Sequence, residues 1–231
     1  MADNNFTPPN TEFEWRIYAD ATFAGLAVLI PIIGLDWAFE EFFRRRMVVS
    51  IAKYRGYNLA PFASQSLNTS DSTCLQSCLM LPIILTYGLL KKLSRKILYF
   101  LTIKEATDKL SYYWHRAFLI DYMLLVGHLE TEDSVLVARQ AMDEVLENTI
   151  TSPLHQLARR VIGSAKHILR TLRRAQKGIE DEVVQQNRSI MVEHWGNFET
   201  YLVELATTYH QHYHQIILDH PDEEQNGRQT N

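Results

Sequence analysis

Apolar residues recur at three- and four-residue steps along almost the whole chain, and no stretch alternates apolar with polar residues between turn dipeptides. A period near 3.6 lays one apolar stripe along a helix, whereas a half-buried strand needs a period of two, so the pattern confines the chain to packed helices. It predicts an all-α fold: a multi-helix bundle of about seven helices over 14–31, 36–55, 75–101, 104–129, 132–150, 153–177 and 179–217, with an N-terminal αα-hairpin and a long C-terminal helix. The 46% hydrophobic content of 231 residues supplies a core large enough to fold without cross-links. Cys74 and Cys78, the only cysteines, are too few for a disulfide framework and read as small core residues.

Five segments are expected. Residues 1–11, with the Pro8-Pro9 pair, and the acidic tail 219–231 should remain unpacked; 12–55 form an apolar hairpin, 56–73 a Ser-, Asn- and Thr-rich linker, and 74–218 the helical bundle. The most apolar stretches, 21–35, 79–90 and 117–129, fall short of the ~20 residues that a spanning helix requires, and the N-terminus lacks a signal pattern. The expected location is the cytoplasm, with peripheral placement at the inner face of a membrane.

The stretch LIPIIGLDWAFEEFFRRRM, Leu29 to Met47, carries the hairpin turn. Pro31 disfavours helical geometry at Ile30, Gly34 lets the backbone turn, and Asp36 fits an N-cap. Glu40 and Glu41 then precede Arg44, Arg45, Arg46, Lys53 and Arg55, the order that a helix dipole favours, with Glu40–Arg44 and Glu41–Arg45 at pairing distance along the helix. The string Ile30-Pro31-Ile32-Ile33-Gly34-Leu35-Asp36, set between an apolar and an arginine-bearing helix, resembles the helical hairpin of bacterial EcsC-like proteins and of the small helical domain appended to some bacterial GTPases. The likeness covers about 40 of 231 residues and implies membrane association rather than a reaction; this chain has no GTPase domain.

Charge position matters more than the formal net charge of -4 or the pI of about 6.1. Between Leu154 and Lys177 there is no acid, while Arg159, Arg160, Lys166, Arg170, Arg173, Arg174 and Lys177 gather on one helical face, opposite Leu154, Leu157, Ala158, Val161, Ile162, Ala165, Ile168, Leu169 and Leu172. Ser152 and Pro153 suit the start of this helix and Gly178 its stop. Lys91, Lys92, Arg95 and Lys96 repeat the arrangement opposite Leu89, Leu90, Leu93, Ile97, Phe100 and Leu101. The acidic helix around 132–147 is expected to fold back onto the basic one through the short connection at 149–152.

Catalytic motifs are missing: no Gly-x-Gly-x-x-Gly, phosphate-binding loop, Gly-x-Ser-x-Gly or His-Glu-x-x-His occurs. His210 and His214 have metal-ligand spacing, but two ligands fall short of a site and no Glu-x-x-His accompanies them, so no metal or cofactor is expected. Asp121, alone in AFLIDYMLLVGHL, must find a cation and predicts an arginine partner. Val184, Met191, Trp195, Phe198, Leu202, Leu205, Tyr209, His212 and Ile216 form a seam suited to a hairpin partner or a homo-oligomer. The reading is a non-enzymatic helical protein that binds anionic membrane through Arg44, Arg45, Arg46 and the two basic helices. The alternative is a soluble scaffold that oligomerises or binds a protein partner through the C-terminal seam. The acidic total disfavours nucleic acid.

Overall fold

The computed structural model describes residues 6–30, 35–69, 95–149, 152–172 and 179–219, with side chains described for all of these except 95–101, 164–172, 179–184, 186 and 187. Among the described residues the fold is all-α: α1 (Trp15–Leu26), α2 (Leu35–Tyr54), α3 (Pro61–Asn68), α4 (Arg95–Leu125), α5 (Glu132–Glu147), α6 (Pro153–Leu172), α7 (Ile179–Trp195) and α8 (Glu199–Asp219), with short 3₁₀ turns after α1 and between α7 and α8. The expected long C-terminal helix is present as α7 and α8, joined by the turn Gly196–Phe198.

Helix ends follow local chemistry. After α1 the chain tightens into the 3₁₀ turn Ala27–Leu29 and leaves helical space at Ile30 (φ -72, ψ 117), as a residue before proline should. Gly56 and Gly127 take positive φ, and at each the glycine amide and the one after it turn back onto the helix, with Tyr57 N–H donating to Ala52 O at 2.9 Å and His128 N–H to Met123 O at 3.0 Å. Both are glycine-terminated helix ends of the Schellman type. Thr131 and Ser134 form a reciprocal cap on α5, and Ser152 accepts from the His155 amide at the start of α6, as Ser152-Pro153 predicts.

Helix α4, 31 residues and about 46 Å long, is the axis of the fold. It packs against α1, α2 and α6, while α5 packs against α8 and α3, and α6 against α7. The expected break near 102–103 does not occur, because neither proline nor glycine interrupts that run. The fold-back of the acidic helix onto the basic one is likewise overturned: α5 settles on α8, and the basic α6 on α4 and α7.

Helices α1 and α4 approach closely. A Cβ built on Gly25 would stand 2.5 Å from Leu110 Cα and 2.9 Å from its nitrogen. The neighbouring positions Ala21 and Ala24 are also small and fully buried. Closeness at this point lets the Trp114 indole donate to Thr22 Oγ1 at 3.0 Å across the interface.

Two segments pack that composition alone leaves out. Phe6 sits beside Tyr122 and His210, the Tyr122 hydroxyl donates to Thr7 O at 3.1 Å, and the Trp195 indole donates to Thr11 O at 3.1 Å, so residues 6–11 form a strap across the bundle instead of an unpacked end. Within the expected linker, α3 buries Ala63 and Leu67. Its last carbonyls are capped by two arginines, Arg44 on Asn68 O at 2.8 Å and Arg116 on Leu67 O. Cys74, Cys78, the 79–90 stretch and the tail from 220 lie outside the described residues.

Gly25→Ala should be the costliest glycine-to-alanine change among the described helical glycines. The obstacle is backbone, which cannot rotate aside, so a loss of about 1–3 kcal/mol is expected in denaturant unfolding, whereas Gly163→Ala, with open space at its Cβ, should hold or raise stability.

Candidate functional site

Helix α2 has two apolar sides. Met47, Val48, Ile51 and Ala52 enter the core. On another side Leu35, Phe39, Phe42 and Val49 follow one another at helical spacing and are all exposed, Phe42 to 57%, while Trp37 near the hairpin tip is 60% exposed. Scattered exposed apolar residues need no explanation, but an apolar row with two phenylalanines and a neighbouring tryptophan does.

The arginine triplet divides into separate roles. Arg44 is turned inward, 12% exposed, and shares itself between Glu41 (2.8 Å) and the α3 terminus; it is a structural residue, not the surface residue expected. Arg45 stays 68% exposed while its Nε reaches Glu41 Oε1 at 2.5 Å. Arg46 is 56% exposed, lies 3.3 Å from the buried carboxylate of Asp20, and holds its guanidinium about 6 Å from the Phe42 and Phe43 rings. Burial acts to raise the Glu41 carboxyl, but hydrogen bonds from Arg44 and Arg45 outweigh it and hold it below the usual range. Glu40 does not take Arg44, as its spacing suggested; it accepts from Lys109 Nζ at 2.5 Å and from the Tyr113 hydroxyl at 2.8 Å.

On α6, Leu154, Leu157, Ala158, Val161 and Ile162 are buried and Arg159 and Arg160 exposed, the expected division of faces. Arg160 Nη1 lies 3.3 Å from His194 Nε2. Lys166 and Arg170 continue the helix, and Arg95 and Lys96 begin α4, but their side chains lie outside the description, as do Lys91, Lys92, Arg173, Arg174 and Lys177 altogether. On α5, Glu144 meets His212 at 2.8 Å and Asp143 meets Arg139 at 3.6 Å.

The C-terminal seam is turned into the protein's own core. Met191, Trp195, Leu202, Leu205, Tyr209 and Ile216 are all buried, and His212 is held by Glu144. An oligomer through that stripe would have to open the bundle.

Asp121 has the arginine partner its burial demands. Arg55 Nε donates to Oδ1 at 2.7 Å and Nη2 to Oδ2 at 2.8 Å, while Nη1 reaches Glu14 at 3.2 Å. The hydrogen bond to Asp121 raises the Arg55 pKa further, so this cation is permanent. A second buried polar group, unforeseen, joins α4 to α8: His115 Nδ1 lies 2.6 Å from Ser111 O and Nε2 2.7 Å from the Tyr201 hydroxyl. The carbonyl can only accept, so Nδ1 carries the proton and the tyrosine donates to Nε2. Beside it is an open cavity of about 250 Å³ lined by residues that include Asp108, Ser111, Tyr112 and His155. A third cluster lies where Gly127 turns the chain: His128 stacks on Tyr213 at 3.6 Å and its Nδ1 is 2.9 Å from the Tyr209 hydroxyl, with His210 and His214 alongside.

Among the described residues no group of three or more His, Cys, Asp and Glu is placed to hold a metal ion, and no helix is long and apolar enough to cross a membrane. Comparison with protein-family models, curated proteins and solved structures finds no match. The molecule is therefore defined by what its own fold presents: an all-α bundle with an apolar row outside and three polar clusters inside.

Burial lowers the His115 and His128 pKa values from 6.5 to about 4 each. A folded-state pKa below the unfolded one means that the neutral ring is favoured by folding, so this stability is complete above pH 6.5 and is lost as pH falls toward 4. For the fully buried His115 the full effect is about 3 kcal/mol. Unfolding midpoints measured from pH 7.5 to 4.5 should fall, and His115→Gln, though less stable at pH 7.5, should show a shallower fall.

Proposed function

We propose that this chain is a non-enzymatic peripheral membrane protein that docks on an anionic lipid face, at the cytoplasmic side, through the outer side of α2. The observation that carries the reading is the exposed row Leu35, Phe39, Phe42 and Val49 with Trp37, adjoined by the exposed heads of Arg45 and Arg46. A helix lying in the interfacial plane sinks its apolar side to the acyl boundary, aromatic rings sit at headgroup depth, and arginines extend to the phosphates. Arg46 suits this task because its guanidinium already lies over phenylalanine rings on that side. The likeness of the Ile30–Asp36 turn to EcsC-like hairpins favours the same location. Arg159 and Arg160 on α6 add a second basic surface that strengthens attraction to anionic lipid.

Flotation with liposomes tests this. Wild-type protein should float with vesicles containing phosphatidylglycerol or phosphatidylserine, less with pure phosphatidylcholine, and less again as salt rises. Burying a phenylalanine-sized ring contributes about 1.5–3 kcal/mol, so Trp37→Ser and Phe42→Ser should each weaken binding about tenfold or more while leaving the unfolding midpoint nearly unchanged. Equal flotation of the folded Trp37→Ser/Phe42→Ser double variant would remove α2 as the docking element.

A further inference from the structure

The geometry points to a divalent transition-metal site on α8 formed by His210 and His214, independent of the membrane reading. Their Nε2 atoms face one another at 3.0 Å, with ring centroids 4.3 Å apart and planes inclined at 72°. Two imidazole nitrogens that bind one zinc, nickel or copper ion at about 2.0–2.1 Å in neighbouring positions lie roughly 2.9–3.4 Å apart. The observed separation falls in that span.

The pair is held before any ion arrives. Both ligands stand one turn apart on the same helix, the Phe6 ring meets His210 edge-on at 5.7 Å, the Tyr213 ring meets His214 edge-on at 5.8 Å, and the His128 ring runs nearly parallel to His210 at 6.4 Å. Nε2 is the one nitrogen of His210 with a partner; its Nδ1 is enclosed and makes no hydrogen bond. Without metal the same contact is an N–H···N hydrogen bond between neutral rings, and coordination replaces it as the donating ring shifts its proton to Nδ1. Two protein ligands leave the remaining positions to water, which makes this an open, exchanging site rather than a structural one.

His212 provides the internal control, since it shares the helix but is engaged by Glu144 at 2.8 Å. Untagged, chelator-stripped full-length protein should be titrated calorimetrically with nickel and with zinc chloride. One ion per chain is expected, with affinity reduced at least tenfold in His210→Ala and in His214→Ala and kept within twofold in His212→Ala. Imidazole resonances of wild-type protein give a readout that requires no variant: substoichiometric nickel should broaden those of His210 and His214 first. Absence of uptake by the wild type, uptake that persists in the His210→Ala/His214→Ala double variant, or broadening that begins at other histidines overturns the site.

Discussion

Gly25 lies against the backbone of Leu110, and much of the molecule depends on that approach. Only with α1 and α4 this close does Trp114 reach Thr22, and Thr22 in turn lie within 3.9 Å of Met191 on α7. Beyond that contact the same two helices, together with α2, bring Glu14, Arg55 and Asp121 into one ionic group. A buried carboxylate is expensive unless its partner arrives in register, and here the register comes from small side chains in α1. Ala21, Ala24 and Gly25 contribute little apolar area themselves; their effect is to let larger neighbours meet.

Features of one helix at a time were legible in the sequence. The opposed faces of α6 follow from spacing, its start from Ser152-Pro153, the end of the first helix from Pro31, and the arginine on Asp121 from the cost of an unpaired buried charge. What depends on which helices become neighbours was not. The turn at Thr149–Ser152 suggested α5 against α6, but α5 carries a stripe of Val135, Ala138, Met142 and Val145 that is accepted by α8. The seam on α7 and α8 looked available because nothing in a sequence states that the rest of the chain will cover it. Helix α3 escaped notice for a different reason: with only Ala63 and Leu67 buried, its eight residues leave too short a periodic signal, and its ending is completed by Arg44 and Arg116 from distant segments.

The candidate surface was half legible. Emphasis on arginines singled out α2 among other helices, yet Arg44 turned inward and apolar and aromatic residues became the exposed feature. Leu35, Phe39, Phe42 and Val49 are spaced as a stripe in the sequence, but a stripe shows that a face is apolar and not whether protein or something else covers it. The histidine pair poses the converse problem. Its spacing was plain, while the convergence of its two Nε2 atoms depends on rotamers set by neighbouring rings.

The strap at residues 6–11 and helix α1 make their bonds with the last part of the chain: Thr11 with Trp195, Tyr18 with the same indole at 4.4 Å between ring centroids, and Phe6 with His210. During synthesis α1 can meet α2 and then α4 early, but Thr11 of the strap must wait for its bond to Trp195, 184 residues further on, and Tyr18 waits for the same indole. Contacts of such sequence separation slow folding and prolong the exposure of sticky intermediates. Removal of a C-terminal stretch that includes α7 would thus free the strap and uncover the Tyr18 ring while α1 stays on α2 and α4, so a nascent or truncated chain should depend on a holding chaperone to a degree that the completed bundle does not.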